Sequence, residues 1–147
     1  MASEEFEFVN SIATKLGKRA EANGIEALND IERTVLLIWW ASGIIGNGGF
    51  QYFFEGATEA AEVAEAFDRA GCTAAAAACR QALQVFPGGI PPIDQQERCD
   101  FLDSVQDQDH DLFLELDEVI WATSDDGLEA RLIAYIEDHR DVFADLL

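Results

Sequence analysis

Val35-Leu36-Leu37-Ile38-Trp39-Trp40 is a run without one charged side chain, and Gly46-Asn47-Gly48-Gly49-Phe50-Gln51-Tyr52-Phe53-Phe54 comes soon after it. A segment that is apolar all round offers no face to water, so it predicts the central buried helix of the fold. Asn29, with Glu32 three residues on, has the spacing of a capping box and opens that helix. The glycines predict a break at its end. Gly48 or Gly49 supplies a positive φ, Asn47 can cap the next helix, and Phe50, Phe53 and Phe54 plug the core. Asn47, Gly48, Gly49, Phe50, Gln51 and Phe53 therefore read as a structural joint between helices.

Outward from that joint, nearly every segment keeps the 3.6-residue period and none alternates for long. Phe6, Val9, Ala13 and Leu16 form one stripe, fading at Asn23-Gly24. Thr58 is placed to cap a helix ending at Gly71, and Thr73 another running through Ala74 to Phe86. Pro87-Gly88-Gly89-Ile90-Pro91-Pro92 cannot be helical and predicts a surface loop over 87–93. The 54 residues beyond it would make a thin domain alone, so the loop reads as internal. The expected fold class is all-α, a single compact domain over 1–147 with about six to eight helices. A chain of 147 residues is long enough to bury one good core.

Charge limits function most. Twenty-nine Asp and Glu stand against nine Lys and Arg, for a formal net charge of −20. Residues 1–93 hold twelve acids and six bases, whereas residues 94–147 hold seventeen and three. Such a surface repels nucleic acid, nucleotides and anionic lipid, and attracts basic proteins or cations. With 49% apolar residues the chain is too hydrophobic to be a solvated acidic tail. The acids fall in rows. Glu97, Asp100, Asp103 and Asp107 lie opposite an inner face of Phe101, Leu102 and Val105. Asp111, Glu115 and Glu118 point away from Leu112, Phe113, Leu116, Val119 and Ile120. Glu137, Asp141 and Asp145 oppose Leu128, Leu132, Tyr135, Val142, Phe143 and Leu146. Carboxylates at i and i+4 repel by a few tenths of a kcal/mol.

Recognisable catalytic and metal sets are missing. Asp107, Asp109, Asp111, Glu115 and Glu118 match positions 1, 3, 5, 9 and 12 of a calcium loop, but Leu112 stands where the turn needs glycine. The apolar residues from Leu112 to Ile120 also fit a continuing helix. Gln51 stands where a dinucleotide-binding loop needs its third glycine, and no strand precedes it. His110 and His139 have no partners at metal-ligand spacing, and Ser, Cys and His form no nucleophilic set. No enzyme, metal or cofactor is expected. Cys72 and Cys79 read as small packed hydrophobes, and three cysteines without CxxC spacing fit a reducing cytoplasm. The opening Met-Ala-Ser-Glu-Glu does not look like a signal peptide, and the longest apolar run, Val35 to Ala41, is too short to span a bilayer.

The segment Gly46 to Phe54, with Trp39 and Trp40 upstream, resembles a family of helical domains of unknown function whose characterised member is a bacterial DNA mimic protein. The parts that correspond are Glu32-Arg33 opening a helix, Trp39 near its end, and Asn47 to Phe53. Ala60 to Gly71, Ala74 to Phe86, Pro91-Pro92, Leu116-Asp117 and Tyr135-Ile136 come next in order, so that the likeness covers roughly 28–143. Glu55-Gly56 and Ile120-Trp121 depart from the pattern. The resemblance implies an all-helical fold and a homodimer. It also implies a surface that offers carboxylates, in place of phosphates, to the DNA-binding face of a transcription regulator.

Joined to the acidic rows, it predicts a DNA mimic whose partner is a basic DNA-binding protein, with no direct nucleic acid and no membrane involved. The expected phosphate-mimicking residues are Asp100, Asp103, Asp107, Asp111, Glu115, Glu118, Glu137 and Asp141, supplemented by Asp125 and Asp126. Two rivals stand beside it. One is a cation-binding protein using the Asp107–Glu118 cluster. The other is a generic helical interaction module whose acidity is salt adaptation, as the scarcity of lysine (only Lys15 and Lys18) would also suggest.

Overall fold

In the computed structural model, which describes residues 3–147, the chain forms eight α-helices and no strand among those residues. α1 (Glu4–Asn23) starts at Ser3, whose hydroxyl accepts the Phe6 N–H at 3.0 Å. α2 (Asp30–Gly56) opens at the expected capping box: Asn29 Oδ1 accepts the Glu32 N–H at 2.8 Å, and Glu32 Oε1 accepts the Asn29 N–H at 3.0 Å. Glu32 also takes the Arg19 guanidinium at 2.6 Å, and Arg19 reaches Asp145 at 2.6 Å with its other nitrogen. One arginine thereby ties α1, the start of α2 and the C-terminal segment together.

The glycine joint lies where the sequence places it. Two helical segments, together the 27 residues of α2, meet at a kink at Gly49, which alone leaves helical geometry, with φ 73° and ψ −172°. That positive φ belongs to glycine, and a Cβ there would in addition strike the Asp117 carboxylate. Gly48 stays helical, but a Cβ on it would come within 2.5 Å of the Tyr52 side chain. Asn47 is exposed and is not the cap. The N–H of Phe50, freed by the kink, is instead bound by Asp117 Oδ1 at 2.8 Å, from a helix 67 residues further on. A kink orphans backbone donors, and a buried one must find a partner.

α3 (Ala60–Arg69) and α4 (Thr73–Leu83) form a tight hairpin through buried Ala60, Ala64, Ala75, Ala76, Ala78 and Ala82, whose small side chains let the backbones approach. Between them Gly71, at φ 83°, closes a Schellman motif: Cys72 N–H reaches Phe67 C=O at 2.8 Å and Gly71 N–H reaches Asp68 C=O at 3.0 Å. Neither Thr58 nor Thr73 caps as expected. Glu59 precedes α3 without a side-chain cap, and Thr73 is itself the first residue of α4. α4 stops at Leu83, with turns carrying the chain to Phe86.

The 87–93 loop crosses the surface, leaving Ile90 and Ile93 71% and 92% exposed. Beyond it come α5 (Gln95–Gln108), α6 (Leu114–Asp125), α7 (Leu128–Asp138) and the short α8 (Arg140–Phe143). These helices share both hydrophobic cores with the N-terminal ones. Phe50, Phe54, Phe86 and Phe113 meet at ring-centroid distances of 4.9–6.1 Å in the larger core. Ile12, Leu16, Val35, Ile136 and Phe143 make the smaller. Leu37 and Ile38 are buried as expected of the central helix. Trp40, however, is 37% exposed, and Trp39 is half-buried with its indole N–H on Asn10 at 3.0 Å. No helix among the described residues is long and apolar enough to cross a membrane.

Candidate functional site

All ten acidic residues singled out from the sequence are exposed. Asp100, Asp103 and Asp107 stand along the outer side of α5, after Glu97. Those four carboxylates span eleven residues of helix, ten steps of 1.5 Å or about 15 Å, which is roughly one charge per 5 Å. A single DNA strand offers about one per 3.4 Å of axis. One helix therefore approaches the linear charge density of a nucleic-acid strand.

Counter-ions decide which rows remain negative. Thirteen carboxylates lie between Asp94 and Glu129, and none of them joins an ion pair among the described residues. The one base in that span, Arg98, is 4% exposed and spent on the backbone. Its Nε binds the Phe54 carbonyl, and Nη1 binds those of Pro92 and Ile93 at 2.8 and 3.2 Å. It therefore stops the C-terminal end of α2 and holds the Pro-rich loop, and does not screen the surface. Arg131 points to the Gly71 carbonyl at 3.4 Å.

The third row is different. Glu137 pairs with Arg140 at 2.5 Å and Asp145 with Arg19 at 2.6 Å, so among the described residues Asp141 alone of that row stays outside an ion pair. The second row is also not the continuous helix face that was expected. Asp111 lies in the turn before α6, where the Asp109 carboxylate accepts its N–H at 3.1 Å, and only Glu115 and Glu118 ride on α6. Asp111 and Glu115 nonetheless share one cleft with Asp109. Asp125 and Asp126 share another, at the C-terminal end of α6. Carboxylates at that negative end of a helix dipole cost about 0.3–1 kcal/mol each, and the last turn carries no base to offset them. Their placement works against stability.

The described residues bring no three of His, Cys, Asp and Glu into a group able to hold a metal ion. The Asp107–Glu118 stretch thus splits between a helix end, a turn and a second helix, where a calcium loop would converge. Burial pushes the Cys79 thiol up to about 12, and raises Cys72 against the pull of Arg131, so both are protonated packing groups. Asp117 has a structural task. Burial raises its pKa, while the Phe50 N–H draws it down less strongly. The sequence pattern marks it only beside Leu116 and gives no sign of the cap. Leu114, 43% exposed in the first turn of α6, falls off the Leu116, Val119 and Ile120 stripe.

No curated protein and no solved structure matches the chain. A family model does: that of the DMP19-like proteins matches residues 26–139, most of the all-helical body and nearly all of the unpaired acidic surface. The chain belongs to the DMP19-like protein family.

Proposed function

We propose that this protein is an acidic DNA mimic, which occupies the DNA-binding surface of a basic protein such as a transcription regulator and blocks its access to DNA. The observation that carries the reading is the run of thirteen carboxylates between Asp94 and Glu129, without an ion pair among the described residues and with its single arginine buried. DNA-binding proteins hold DNA largely through Lys and Arg set against phosphates. Rigid helices that present carboxylates at comparable spacing engage the same side chains, and carry none of the base edges that encode sequence. Membership of the DMP19-like family supports the reading. The site acts by binding alone, in a cytoplasm reducing enough to suit three free cysteines.

The test is capture from the native cell lysate on immobilised protein, with subsequent elution by duplex DNA. Release of a DNA-binding protein by the duplex is expected. Retention of no such protein, or a bound one that DNA does not displace, refutes mimicry.

The working form in this reading is a homodimer. The exposed groove along Trp40, Ile25 and Leu36 supports it: Glu21 and Glu59 line it but none of the seventeen C-terminal carboxylates does, so two copies meet there with less repulsion than across the acidic C-terminal half. A sedimentation mass of twice 16.2 kDa at micromolar concentration is expected, and a mass near 16.2 kDa contradicts it.

A further inference from the structure

The acidic surface is not uniformly polar. Between the C-terminal end of α4 and the start of α6 lies a cleft of about 580 Å³. Val85, Leu112 and Leu116 form its floor and are partly buried against the main core. Leu114 stands at its edge, 43% exposed. Asp109, Asp111 and Glu115 ring it, and no Lys or Arg lines it. Duplex DNA presents almost nothing that could use such a floor, so phosphate mimicry alone leaves it unexplained.

We infer that this cleft is the anchor point of the acidic surface, taking one apolar side chain from a Lys- or Arg-rich helix or arm of the partner while the three carboxylates hold the flanking bases. The inference rests on the reading of this surface as the seat of a basic partner, and adds the chemistry of the contact. Charge complementarity selects the occupant. A second copy of this chain brings its own carboxylates to the ring and is repelled, and a neutral apolar segment leaves the ring unpaired. The two halves of the contact respond differently to salt. Ion pairing at an exposed surface weakens as ionic strength rises, whereas burial of an apolar side chain does not. A mimic anchored in this way keeps hold of its partner at salt concentrations where DNA lets go.

The test uses the full chain and two fluorescein-labelled basic helical peptides of equal length and charge, one carrying a single leucine and its twin a serine in that place. Anisotropy titrations at low and high salt are expected to show the leucine peptide binding roughly five- to tenfold tighter, with the margin persisting at high salt. Leu114→Ser should erase the margin and leave the salt dependence unchanged. The first turn of a helix tolerates serine, and circular dichroism checks that the fold is kept. Glu115→Gln should weaken both peptides alike. Amide shifts induced by the leucine peptide should centre on Leu112, Leu114 and Val85. Equal binding of the twins, or a margin that survives Leu114→Ser, overturns the anchor while leaving the acidic surface standing. Failure of both peptides to bind at low salt overturns the anchor and the acidic surface together.

Discussion

Removing the carboxylate of Asp117 tests the packing that holds the acidic helix α6 against the core. In the Asp117→Ala variant the Phe50 N–H, on a residue with no exposed surface, loses the Asp117 carboxylate as its acceptor. An orphaned buried donor costs about 1–3 kcal/mol, and loss of a helix cap lies in the same range, so the expected destabilisation is about 2 kcal/mol. Asp117→Asn keeps an oxygen acceptor and should cost less than half as much. Gly49→Ala attacks the same contact from the other side, forcing a side chain into a conformation reserved for glycine and against the Asp117 oxygens. That strain is worth about 1–3 kcal/mol before any clash is counted. Because the clash vanishes with the carboxylate, the double variant should fall short of the sum of the singles by about 1 kcal/mol. Urea unfolding monitored by circular dichroism and tryptophan fluorescence measures all four species. An Asp117→Ala cost below about 0.5 kcal/mol, or strict additivity in the cycle, refutes the pinned kink.

The same carboxylate sets a pH dependence. Its folded pKa is raised above 3.8 by burial, so the folded state binds the proton more readily. Its contribution to stability is therefore full below 3.8 and lost as pH rises through the folded value. The native protein should gain on Asp117→Asn as pH is lowered from 7 towards 4, and a margin moving the other way contradicts this. Arg98→Ala leaves the carbonyls of Phe54, Pro92 and Ile93 without their donor. A loss of about 2–3 kcal/mol and faster proteolysis within 87–93 are expected, read by unfolding and by timed digestion. Changing Asp100, Asp103 and Asp107 to Asn relieves like-charge neighbours on one helix, so the melting temperature should hold or rise slightly, whereas a fall would give these residues a structural role.

The elements legible in the sequence were those set by neighbours along the chain. The Asn29–Glu32 capping box needs only three residues, and the inner stripes of α5, α6 and α7 need only the helical period. Gly49 was legible as a special glycine, but not its partner, because the Asp117 cap comes from 67 residues away. Thr73 failed as a cap for a local reason that was hard to read. The Schellman motif at Gly71 delivers Cys72 straight into α4, and the helix begins one residue early. At the acidic surface, exposure could be read from periodicity, whereas neutralisation could not. Asp145 is silenced by Arg19, 126 residues earlier, and Arg98 is withdrawn into the interior by backbone carbonyls. The helical row through Asp111 broke because the Asp109 side chain captures its N–H and turns the chain.

Competition on DNA itself tests the central claim most directly. A DNA-binding protein captured from the lysate is bound to its labelled duplex, and the complex is titrated with this protein and with the Asp100→Asn, Asp103→Asn, Asp107→Asn variant. The account predicts that the native protein releases the duplex stoichiometrically without touching it. The variant should need roughly tenfold more or fail, and rising salt, which loosens the duplex more steeply than the mimic, should strengthen the native competition. Formation of a ternary complex that retains the duplex, or equal potency of the folded variant, contradicts it.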